Sequence, residues 1–342
     1  MRAGYIAKPL DAMFRDDLPE PQIVRANQVK IRVKVTGICG SEIHAYHGRH
    51  PWRVPPLVSG HEFAGIVCEI GSGVKGVRVG DRVTAEPQYG CGNCAYCRSG
   101  RYNLCKEKKI LGATEWSGSF GEYVVVPEAC VIPLSRNVSL DCGALIEPLA
   151  VGMHAVRLNE VGREDVIAVI GCGTIGLGVI LSAKRFHPQK IIGIDVVDFN
   201  LEKAKEMGAD VTFNSNSDSV CDGIKKLTGG LGVDMTFLSF GNASCVKLAA
   251  EITKAGGKIA EIAVMSGDVP APFDDIQVKE LKVCGSNMFT ADDFREVVAG
   301  IETGDICLDG FITQRFPIEC MHEAMEFADK RPEPSIKVVM DF

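Results

Sequence analysis

Four cysteines in one short segment have the spacing of a metal site. Cys91, Cys94, Cys97 and Cys105 form the pattern C-x₂-C-x₂-C-x₇-C. Four thiolates suit tetrahedral Zn²⁺, and a zinc site closed by four protein ligands is structural. An iron–sulfur cluster is the alternative, but the common ferredoxin motif ends in C-x₃-C-P, whereas Lys106 follows the last cysteine here. The spacing therefore favours a structural zinc, and any chemistry must lie elsewhere.

A second set of possible ligands is dispersed through the first half of the chain. Cys39 follows a strand-like segment, and His61 is adjacent to Glu62. Glu147 lies in the segment LIEPLA. A thiolate, an imidazole and a carboxylate form a mixed donor set that is typical of an open catalytic zinc. Each residue also has an ordinary interpretation, as a core cysteine, a hydrogen-bonded turn histidine or a surface carboxylate, and spacing alone leaves both interpretations open.

A glycine-rich turn in the second half of the chain predicts a dinucleotide site. It follows the apolar segment Val166–Ile170, opens a helical segment, and contains Gly171, Gly173, Thr174, Ile175 and Gly176. In this context a G-x-G-x-x-G turn offers backbone N–H groups and the positive end of a helix dipole to a pyrophosphate. The alternative is a strand–turn–helix unit whose glycines serve packing alone, but the flanking strand and helix favour the cofactor.

Asp195 indicates which dinucleotide binds. It stands nineteen residues after Gly176, at the end of the next strand-like segment. A carboxylate at that position accepts hydrogen bonds from the ribose hydroxyls and repels a 2′-phosphate. No Arg or Lys follows Asp195 before Lys203. The sequence therefore predicts NAD rather than NADP.

The pattern of apolar residues changes near residue 150. Before it, alternating segments such as QVKIRVKVTGIC predict short strands, as in a partly open β-barrel. After it, apolar strands alternate with helices, which predicts a parallel sheet with right-handed crossovers. Two strand-like segments after residue 288 resemble the first half again. The predicted fold class is α/β, with one domain at 1–150 completed by 288–342 and a dinucleotide-binding domain at 151–287.

Length and composition exclude several classes of partner. The 342 residues give room for two domains, and the formal charge of −7 shows no nucleic-acid footprint. No segment approaches the roughly 20 apolar residues that span a membrane, and the N-terminal segment lacks the apolar run of a signal peptide. We expect a cytoplasmic protein with no nucleic-acid or membrane partner. In that reducing compartment the fourteen cysteines are not expected to form a disulfide framework.

Several short motifs resemble those of the zinc-dependent medium-chain alcohol dehydrogenases, and the resemblance covers essentially the whole chain. The matching segments are CGSEIH, GHEFAG, VGDRV, EPLA and QRFP, together with the four-cysteine run and the turn GCGTIG. The branch of sorbitol, threonine and sugar-acid dehydrogenases is the most similar one. The resemblance implies a GroES-like catalytic domain and a Rossmann domain with a doubly wound parallel sheet, assembled as homodimers or homotetramers.

The resemblance also implies ligand roles. Cys39, His61 and Glu62 would hold a catalytic zinc. Glu147 would be a fourth contact, either direct or bridged by water. The four clustered cysteines would hold a second, structural zinc, so each chain would carry two zinc ions and bind NAD.

These roles predict a reversible oxidation of a secondary alcohol to a ketone, with hydride transfer to NAD. Ser41 lies where the family's relay hydroxyl lies, and His44 could pass the proton to solvent, although a solvent-facing loop histidine is its ordinary interpretation. The expected small-molecule substrate is a polyol, a sugar acid or a related hydroxy compound. A threonine- or butanediol-type dehydrogenase is the alternative. Less favoured are an enzyme without net redox turnover, a zinc-free NADPH-dependent reductase, and a non-enzymatic NAD-binding protein.

Three positions depart from the family's motifs. Glu42 stands where the family usually has an Asp that supports a zinc-ligating histidine, so one extra methylene has to be accommodated. Gln314 replaces a common His, and Ala263 replaces a frequent Gly. Pocket candidates that are equally explained by packing are Trp52, Trp116, Tyr46 and Phe289, and unranked polar candidates are Glu115, Arg49, Arg53 and Asn287.

Overall fold

Strands are the main regular elements in the first 133 residues of the computed structural model, which describes residues 1–113, 115–265 and 267–342. The strands are β1 (Ala3–Lys8), β2 (Asp11–Arg15), β3 (Gln28–Ile38), β4 (Glu62–Ile70), β5 (Arg82–Ala85), β6 (Gln88–Tyr89), β7 (Lys109–Ile110), β8 (Tyr123–Pro127) and β9 (Val131–Pro133). The helices are α1 (Gly40–Tyr46) and α2 (Ala95–Arg98), with 3₁₀ turns at Tyr102–Leu104 and Glu128–Cys130. In β3, Ile31 and Val33 are buried while Arg32 is exposed, as the alternating pattern predicts.

Helices and strands alternate in the next part of the chain. In order they are α3 (Leu140–Leu158), β10 (Val166–Ile170), α4 (Thr174–Lys184), β11 (Lys190–Asp195), α5 (Asp198–Met207), β12 (Val211–Asn214), α6 (Val220–Leu227), β13 (Val233–Leu238), α7 (Ala243–Ile252), β14 (Thr253–Glu261), α8 (Phe273–Val278) and β15 (Lys282–Gly285). The remaining elements are α9 (Ala291–Thr303), β16 (Ile312–Pro317), a 3₁₀ turn (Ile318–Cys320), α10 (Met321–Lys330) and β17 (Lys337–Asp341). Among the described residues, no helix combines the length and the apolar character needed to cross a membrane.

The chain divides into two units. The first comprises Met1–Glu147, Ile301–Thr303 and Leu308–Phe342, and the second comprises Pro148–Gly300 and Gly304–Cys307. The sequence placed the return to the first domain at residue 288, whereas most of α9 belongs to the second unit. The difference arises because α9 is fastened there by polar contacts with α3, which the sequence pattern does not reveal.

β3 is the central strand of the first unit. The sheet has the order β16-β17-β3-β4-β5-β9, and β8 also pairs with β3. Both β4 and β17 run antiparallel to β3, so that Gly37 of β3 pairs with Glu62 on one side and with Val339 on the other. Apolar side chains such as Val33 and Phe63 form the buried core beneath these strands. The last strand of the chain therefore lies beside the strand that leads into Cys39.

The second unit contains a six-stranded parallel sheet. Its strand order is β12-β11-β10-β13-β14-β15, with β10 as the first strand in sequence. This is the order of doubly wound dinucleotide-binding sheets, whose ligands bind at the carboxyl ends of the strands. Helices α3 and α4 approach to backbone contact, because a Cβ on Gly152 would overlap the backbone of Gly178. The predicted α/β class is confirmed, with a mainly antiparallel sheet in which only β16 and β17 pair in parallel among the described strands, and a doubly wound parallel sheet.

A buried carboxylate fastens α9 within the second unit. Asp293 accepts hydrogen bonds from His154 Nδ1 and Arg157 Nη1, both at 2.7 Å. It also accepts from the N–H and the hydroxyl of Thr290, at 2.9 and 2.8 Å. Burial alone would raise the pKa of Asp293, but the hydrogen bonds from His154 and Thr290 and the charge of His154 lower it overall.

We expect Asp293→Asn to lower the free energy of unfolding by about 2–3 kcal/mol at pH 7, because the amide removes the charge to which those donors bond. The depressed pKa of Asp293 stabilises the folded state above the unfolded-state pKa, and this contribution disappears as the pH falls through the lower folded-state pKa. The difference between variant and parent should therefore shrink below about pH 4. Urea unfolding at several pH values measures it.

Asp292→Asn is the matched control, because Asp292 is adjacent, mostly exposed and paired only at the surface with Arg295. This control should leave the unfolding free energy nearly unchanged at every pH. Equal losses for the two variants would show that the buried hydrogen bonds of Asp293 are not the cause.

Candidate zinc and dinucleotide sites

The pairing of β3 with β4 brings Cys39 close to His61 and Glu62. Cys39 follows β3 directly and is the N-cap of α1, while His61 immediately precedes β4. Because the strands are antiparallel, the end of β3 and the start of β4 meet at the same edge of the sheet. Gly60 has φ of +92°, and a Cβ there would overlap Phe120, so the turn before His61 requires glycine.

The predicted metal ligands lie together in the first unit. The ligand atoms of Cys39, Glu42 and His61 all lie within 4.8 Å of one another, and so do those of His61, Glu62 and Glu147. His61 Nε2 is 3.9 Å from a carboxylate oxygen of Glu147, which lies in the middle of α3. His61 and the carboxylates of both groups are buried. The four residues Cys39, His61, Glu62 and Glu147 thus converge, with His61 common to both groups.

Glu42 supports His61 and is itself saturated with hydrogen bonds. Its Oε1 accepts from His61 Nδ1 at 3.0 Å, from Ser59 Oγ at 3.0 Å and from Arg53 Nε at 3.1 Å. Its Oε2 accepts from the backbone N–H of Cys39 at 3.1 Å. Burial alone would raise the pKa of Glu42, but the charges of His61 and Arg53 and the hydrogen bonds from His61 and Ser59 hold it far below its usual value. With Nδ1 bonded to Glu42, His61 keeps Nε2 for a metal.

The buried carboxylate of Glu62 is incompletely satisfied by the described residues. Its Oε2 forms an ion pair with the buried Nζ of Lys337, which comes from β17. Its Oε1 is buried and has no hydrogen-bond partner among the residues that the structure describes. A thiol, an imidazole nitrogen and an orphaned buried carboxylate oxygen match the donor set of a catalytic zinc. The residues present therefore fit that metal.

Gly37 makes the Glu62–Lys337 ion pair possible. A Cβ at Gly37 would overlap Glu62 Oε2 and the Lys337 side chain. Burial alone would lower the pKa of Lys337, but the charges of Glu62 and Cys39 raise it overall. Sequence reasoning did not single out Lys337. Its signal was a lone lysine within the apolar strand segment SIKVVMDF.

Glu147 carries the least compensated carboxyl group of the site. Burial, together with the nearby carboxylates of Glu62 and Glu42, raises the pKa of Glu147 to about 7. The charges of His61 and Lys337 oppose that shift. A bound cation would favour the ionised form of Glu147.

Ser41 and His44 lie on the helix that begins at the metal ligands. They are three residues apart on α1, so they share one face, and both are partly exposed. Ser41 Oγ is 3.4 Å from Glu42 Oε2. The geometry leaves both groups accessible from the surface that adjoins Cys39.

The cysteine cluster has the dimensions of a tetrathiolate zinc site. The four sulfurs lie within 4.8 Å of one another, and the sulfurs of Cys91 and Cys97 are 4.0 Å apart. Zinc–sulfur bonds of about 2.3 Å in a tetrahedron imply sulfur–sulfur distances of about 3.8 Å. Hydrogen bonds from the backbone of Asn93 and Cys94 lower the pKa of Cys91 to about 7. The cluster therefore fits a structural zinc, as the spacing predicts.

The glycine turn of the second unit leaves room for a dinucleotide at the end of β10. Gly171 has φ of +89°, and a Cβ on Gly176 would overlap the Gly171 carbonyl, so both positions require glycine. A Cβ on Gly173 would meet only open space. Thr174 and Ile175 form the partly exposed first turn of α4. An open N-terminal turn of this kind suits a pyrophosphate.

Asp195 is bonded directly to that turn. It accepts hydrogen bonds from the N–H of Cys172 at 2.6 Å and from the N–H groups of Val196 and Val197 at 2.7 and 2.9 Å. Asn200 Nδ2 donates to it at 3.2 Å. Lys203, the first basic residue after Asp195, is occupied by an ion pair with Glu206. The surroundings of Asp195 thus favour ribose hydroxyls over a 2′-phosphate.

Three of the four aromatic pocket candidates serve packing. Tyr46 and Phe289 are buried, the latter against Phe294 at a ring distance of 5.6 Å. Trp116 packs on Tyr89, and its indole N–H donates to a backbone carbonyl. Of the four aromatic candidates, Trp52 alone is mainly exposed, with 57% of its surface accessible.

Two family models match the chain. Residues 25–136 match the alcohol dehydrogenase GroES-like domain, and residues 174–303 match the zinc-binding dehydrogenase model. Sorbitol dehydrogenase 1 of Saccharomyces cerevisiae is 34% identical, over 90% of this chain and 89% of that protein. L-idonate 5-dehydrogenase of Vitis vinifera is also 34% identical, over 92% and 87%. The crystal structure of 2R,3R-butanediol dehydrogenase from Bacillus subtilis is 31% identical with a TM-score of 0.89, covering 100% of this chain and 99% of that chain.

The chain therefore belongs to the zinc-dependent medium-chain alcohol dehydrogenases, in the branch that contains the sorbitol dehydrogenases. The predicted family, the GroES-like and Rossmann architecture, and the zinc and nicotinamide cofactors are confirmed. It is an oxidoreductase of the NAD-dependent zinc alcohol dehydrogenase type.

We expect Lys337→Met to make the protein more dependent on zinc. Without the lysine, Glu62 is buried with no opposite charge unless a cation binds, and an unpaired buried charge costs about 3–5 kcal/mol. Removing zinc with EDTA should therefore lower the Tm by more in the variant than in the parent. Thermal unfolding with and without EDTA measures the difference.

Lys30→Met is the matched control, because Lys30 is also buried and ion-paired, with Glu20 and Glu69. It lies seven residues from Gly37 along β3, about 23 Å along an extended strand. Its replacement should lower the Tm equally with and without zinc. The same zinc dependence in both variants would contradict the assignment of Lys337 to Glu62.

We expect Asp195→Ser to raise the ratio of kcat/KM with NADP to kcat/KM with NAD by about tenfold or more, since removing one nearby charge is worth at least about 1.4 kcal/mol. Both absolute values should fall, because Asp195 also holds the turn through Cys172. Steady-state kinetics with each cofactor measures the ratio. Asp198→Ser, at an exposed position on α5, should leave it unchanged, and an unchanged ratio in Asp195→Ser would refute the assignment.

Proposed function

We propose that this protein catalyses the reversible oxidation of a secondary alcohol to a ketone, with NAD as the hydride acceptor. One observation carries the proposal. In the first unit the His61 imidazole lies within 4.8 Å of the Cys39 thiol in one group of ligand atoms and of the Glu62 and Glu147 carboxylates in a second group, and Glu62 has a buried oxygen without a hydrogen-bond partner among the described residues. The dinucleotide turn of the second unit supports the same reaction.

Two zinc ions have separate roles in the proposal. Cys39, His61 and Glu62 hold the catalytic ion, and Glu147 is a fourth contact, direct or through water. Bound zinc at this position lowers the pKa of a substrate hydroxyl. Cys91, Cys94, Cys97 and Cys105 hold the structural ion, which has no position left for substrate.

Ser41 and His44 move the proton. The Ser41 hydroxyl accepts it from the substrate hydroxyl while giving its own proton onward, and the His44 imidazole takes up that proton and releases one to solvent. Their shared helix face and partial exposure support this order. Glu42 lies between them in sequence; its Oε1 is occupied by His61, Arg53 and Ser59, and its Oε2 accepts a long hydrogen bond from Ser41 Oγ at 3.4 Å.

The cofactor residues orient NAD, which carries the hydride. The N–H groups of the turn formed by Gly171, Gly173, Thr174, Ile175 and Gly176 bind the pyrophosphate. Asp195 accepts hydrogen bonds from the adenosine ribose.

A polyol or a sugar acid is the proposed substrate class. Sorbitol and L-idonate, named by the similar yeast and grapevine enzymes, are both polyhydroxylated chains. The similarity to butanediol dehydrogenase favours a simpler vicinal diol as the second candidate.

We further propose a homodimer or homotetramer in the cytoplasm, with the first unit as the catalytic domain and the second unit as the NAD domain. β15 is an edge strand that exposes Val283, and Val278 and Phe273 before it are exposed as well. An apolar edge of this kind readily pairs with a second copy. The described cysteines form no disulfide, which suits a reducing compartment.

The test is NADH formation by zinc-loaded protein with NAD⁺ and a panel of polyols, sugar acids, threonine and 2,3-butanediol. We expect NADH with one polyhydroxylated class, and a loss of about 10³-fold or more in Cys39→Ala, since the metal supplies several kcal/mol of charge stabilisation. Activity retained by Cys39→Ala would contradict the ligand role. Silence across the panel and its ketones, with zinc and NAD bound, would contradict the reaction class.

A further inference from the structure

Arg53 is a buried cation in direct contact with the zinc-supporting residues. It lies in the loop between α1 and β4 and is 5% exposed. Its Nε donates to Glu42 Oε1 at 3.1 Å, and its Nη2 donates to the carbonyl of Leu111 at 3.3 Å. The same Nη2 is 3.1 Å from His61 Nδ1. Arg53 thus connects its own loop, α1 and the segment after β7 around one imidazole.

His61 Nδ1 has two possible partners of opposite character. Glu42 Oε1 can only accept a hydrogen bond there, and Arg53 Nη2 can only donate one. Zinc binding through Nε2 requires a lone pair on Nε2 and therefore places the hydrogen on Nδ1. In that state Nδ1 donates to Glu42, and Arg53 Nη2 donates to Leu111 instead. Among the groups that can accept a hydrogen bond from Nδ1, a carboxylate gives His61 the strongest support as a metal ligand.

The Glu42 carboxylate has a fixed positive charge beside it. The residue is fully buried, and a buried carboxylate without a counter-charge destabilises the fold. Arg53 supplies the charge without a transferable proton, because a guanidinium stays protonated in proteins. The added length of Glu, compared with the expected Asp, is accommodated by a carboxylate that reaches Arg53, Ser59 and His61 together.

We propose that Arg53 is a positioning residue for the catalytic zinc. It acts through Glu42, whose carboxylate it holds by the 3.1 Å ion pair and aims at His61 Nδ1, so that His61 Nε2 is presented to the metal. This inference rests on the zinc-holding role of His61 in the proposed function. It adds to that role a buried Glu42–Arg53 pair that controls how long the zinc remains bound.

The experiment follows zinc release from the loaded protein with a colorimetric chelator. We expect two kinetic phases, one for each ion. Arg53→Met should accelerate the catalytic phase by tenfold or more, in line with the roughly 10–100-fold loss of affinity that follows removal of a ligand's hydrogen-bond partner. Arg53→Lys should hold zinc longer than Arg53→Met, because lysine keeps the positive charge but lacks the several N–H donors of the guanidinium. The phase of the four-cysteine site should not change in either variant.

A double variant separates positioning from general destabilisation. In Glu42→Gln with Arg53→Met the amide oxygen still accepts from His61 Nδ1 and no buried charge is left unpaired. This double variant should hold zinc longer than Arg53→Met alone. If the effects of Glu42→Gln and Arg53→Met on the rate of zinc release were strictly additive in the double variant, the proposal would be overturned. Cobalt(II) substitution should shift the thiolate absorption of the catalytic ion in Arg53→Met, as a change in ligand geometry requires.

Two further variants make the outcomes distinguishable. Arg49→Met removes an exposed arginine of the same loop and should release zinc like the parent. His61→Ala should lose the catalytic phase entirely. Retention of both phases in His61→Ala would refute the proposed ligand role itself. Loss of a phase in His61→Ala, with unchanged release in Arg53→Met, would refute only the role of Arg53.

Discussion

The antiparallel pairing of β3 with β4 is the constraint on which the metal site depends. It opposes Gly37 and Glu62, and it brings the residue after β3 to the same edge as the residue before β4. Because successive side chains of a strand point to opposite faces, a register shift of one residue would turn Glu62 away from His61 and Cys39. The absence of a side chain at Gly37 is part of the same constraint, since the space is filled by Glu62 and Lys337.

Charge balance is the second requirement of the buried site. Two of its carboxylates have cationic partners, Glu42 with Arg53 and Glu62 with Lys337. Among the described residues, Glu147 forms no ion pair with a lysine or an arginine, and burial raises its pKa. A divalent cation would be balanced by the Cys39 thiolate and an ionised Glu147. The protein therefore provides a net charge as well as a set of ligand atoms that match zinc.

The sequence carries the parts of this arrangement that are encoded locally. The four-cysteine spacing and the glycine turn are local signals, and the strand–helix alternation predicts the parallel sheet. The family resemblance was needed to assign Cys39, His61, Glu62 and Glu147 to one metal site, because their spacing along the chain says nothing about their proximity. Arg53 remained an unranked candidate and Lys337 went unnoticed, because the role of a buried charge depends on a partner that the fold supplies. Tyr46 and Phe289 are buried in the fold, and the sequence alone does not distinguish a buried aromatic residue from one that lines a pocket.

The position of Lys337 in the chain has a consequence for biosynthesis. Cys39, His61, Glu62 and Glu147 all precede the dinucleotide-binding unit, whereas β17 is translated after it. A nascent chain thus presents the four metal-binding groups to the cell long before the lysine that neutralises Glu62 leaves the ribosome. Throughout that interval the carboxylate has no cationic side chain from β17 to pair with. The Glu62–Lys337 ion pair therefore forms only after the whole dinucleotide-binding unit has been translated.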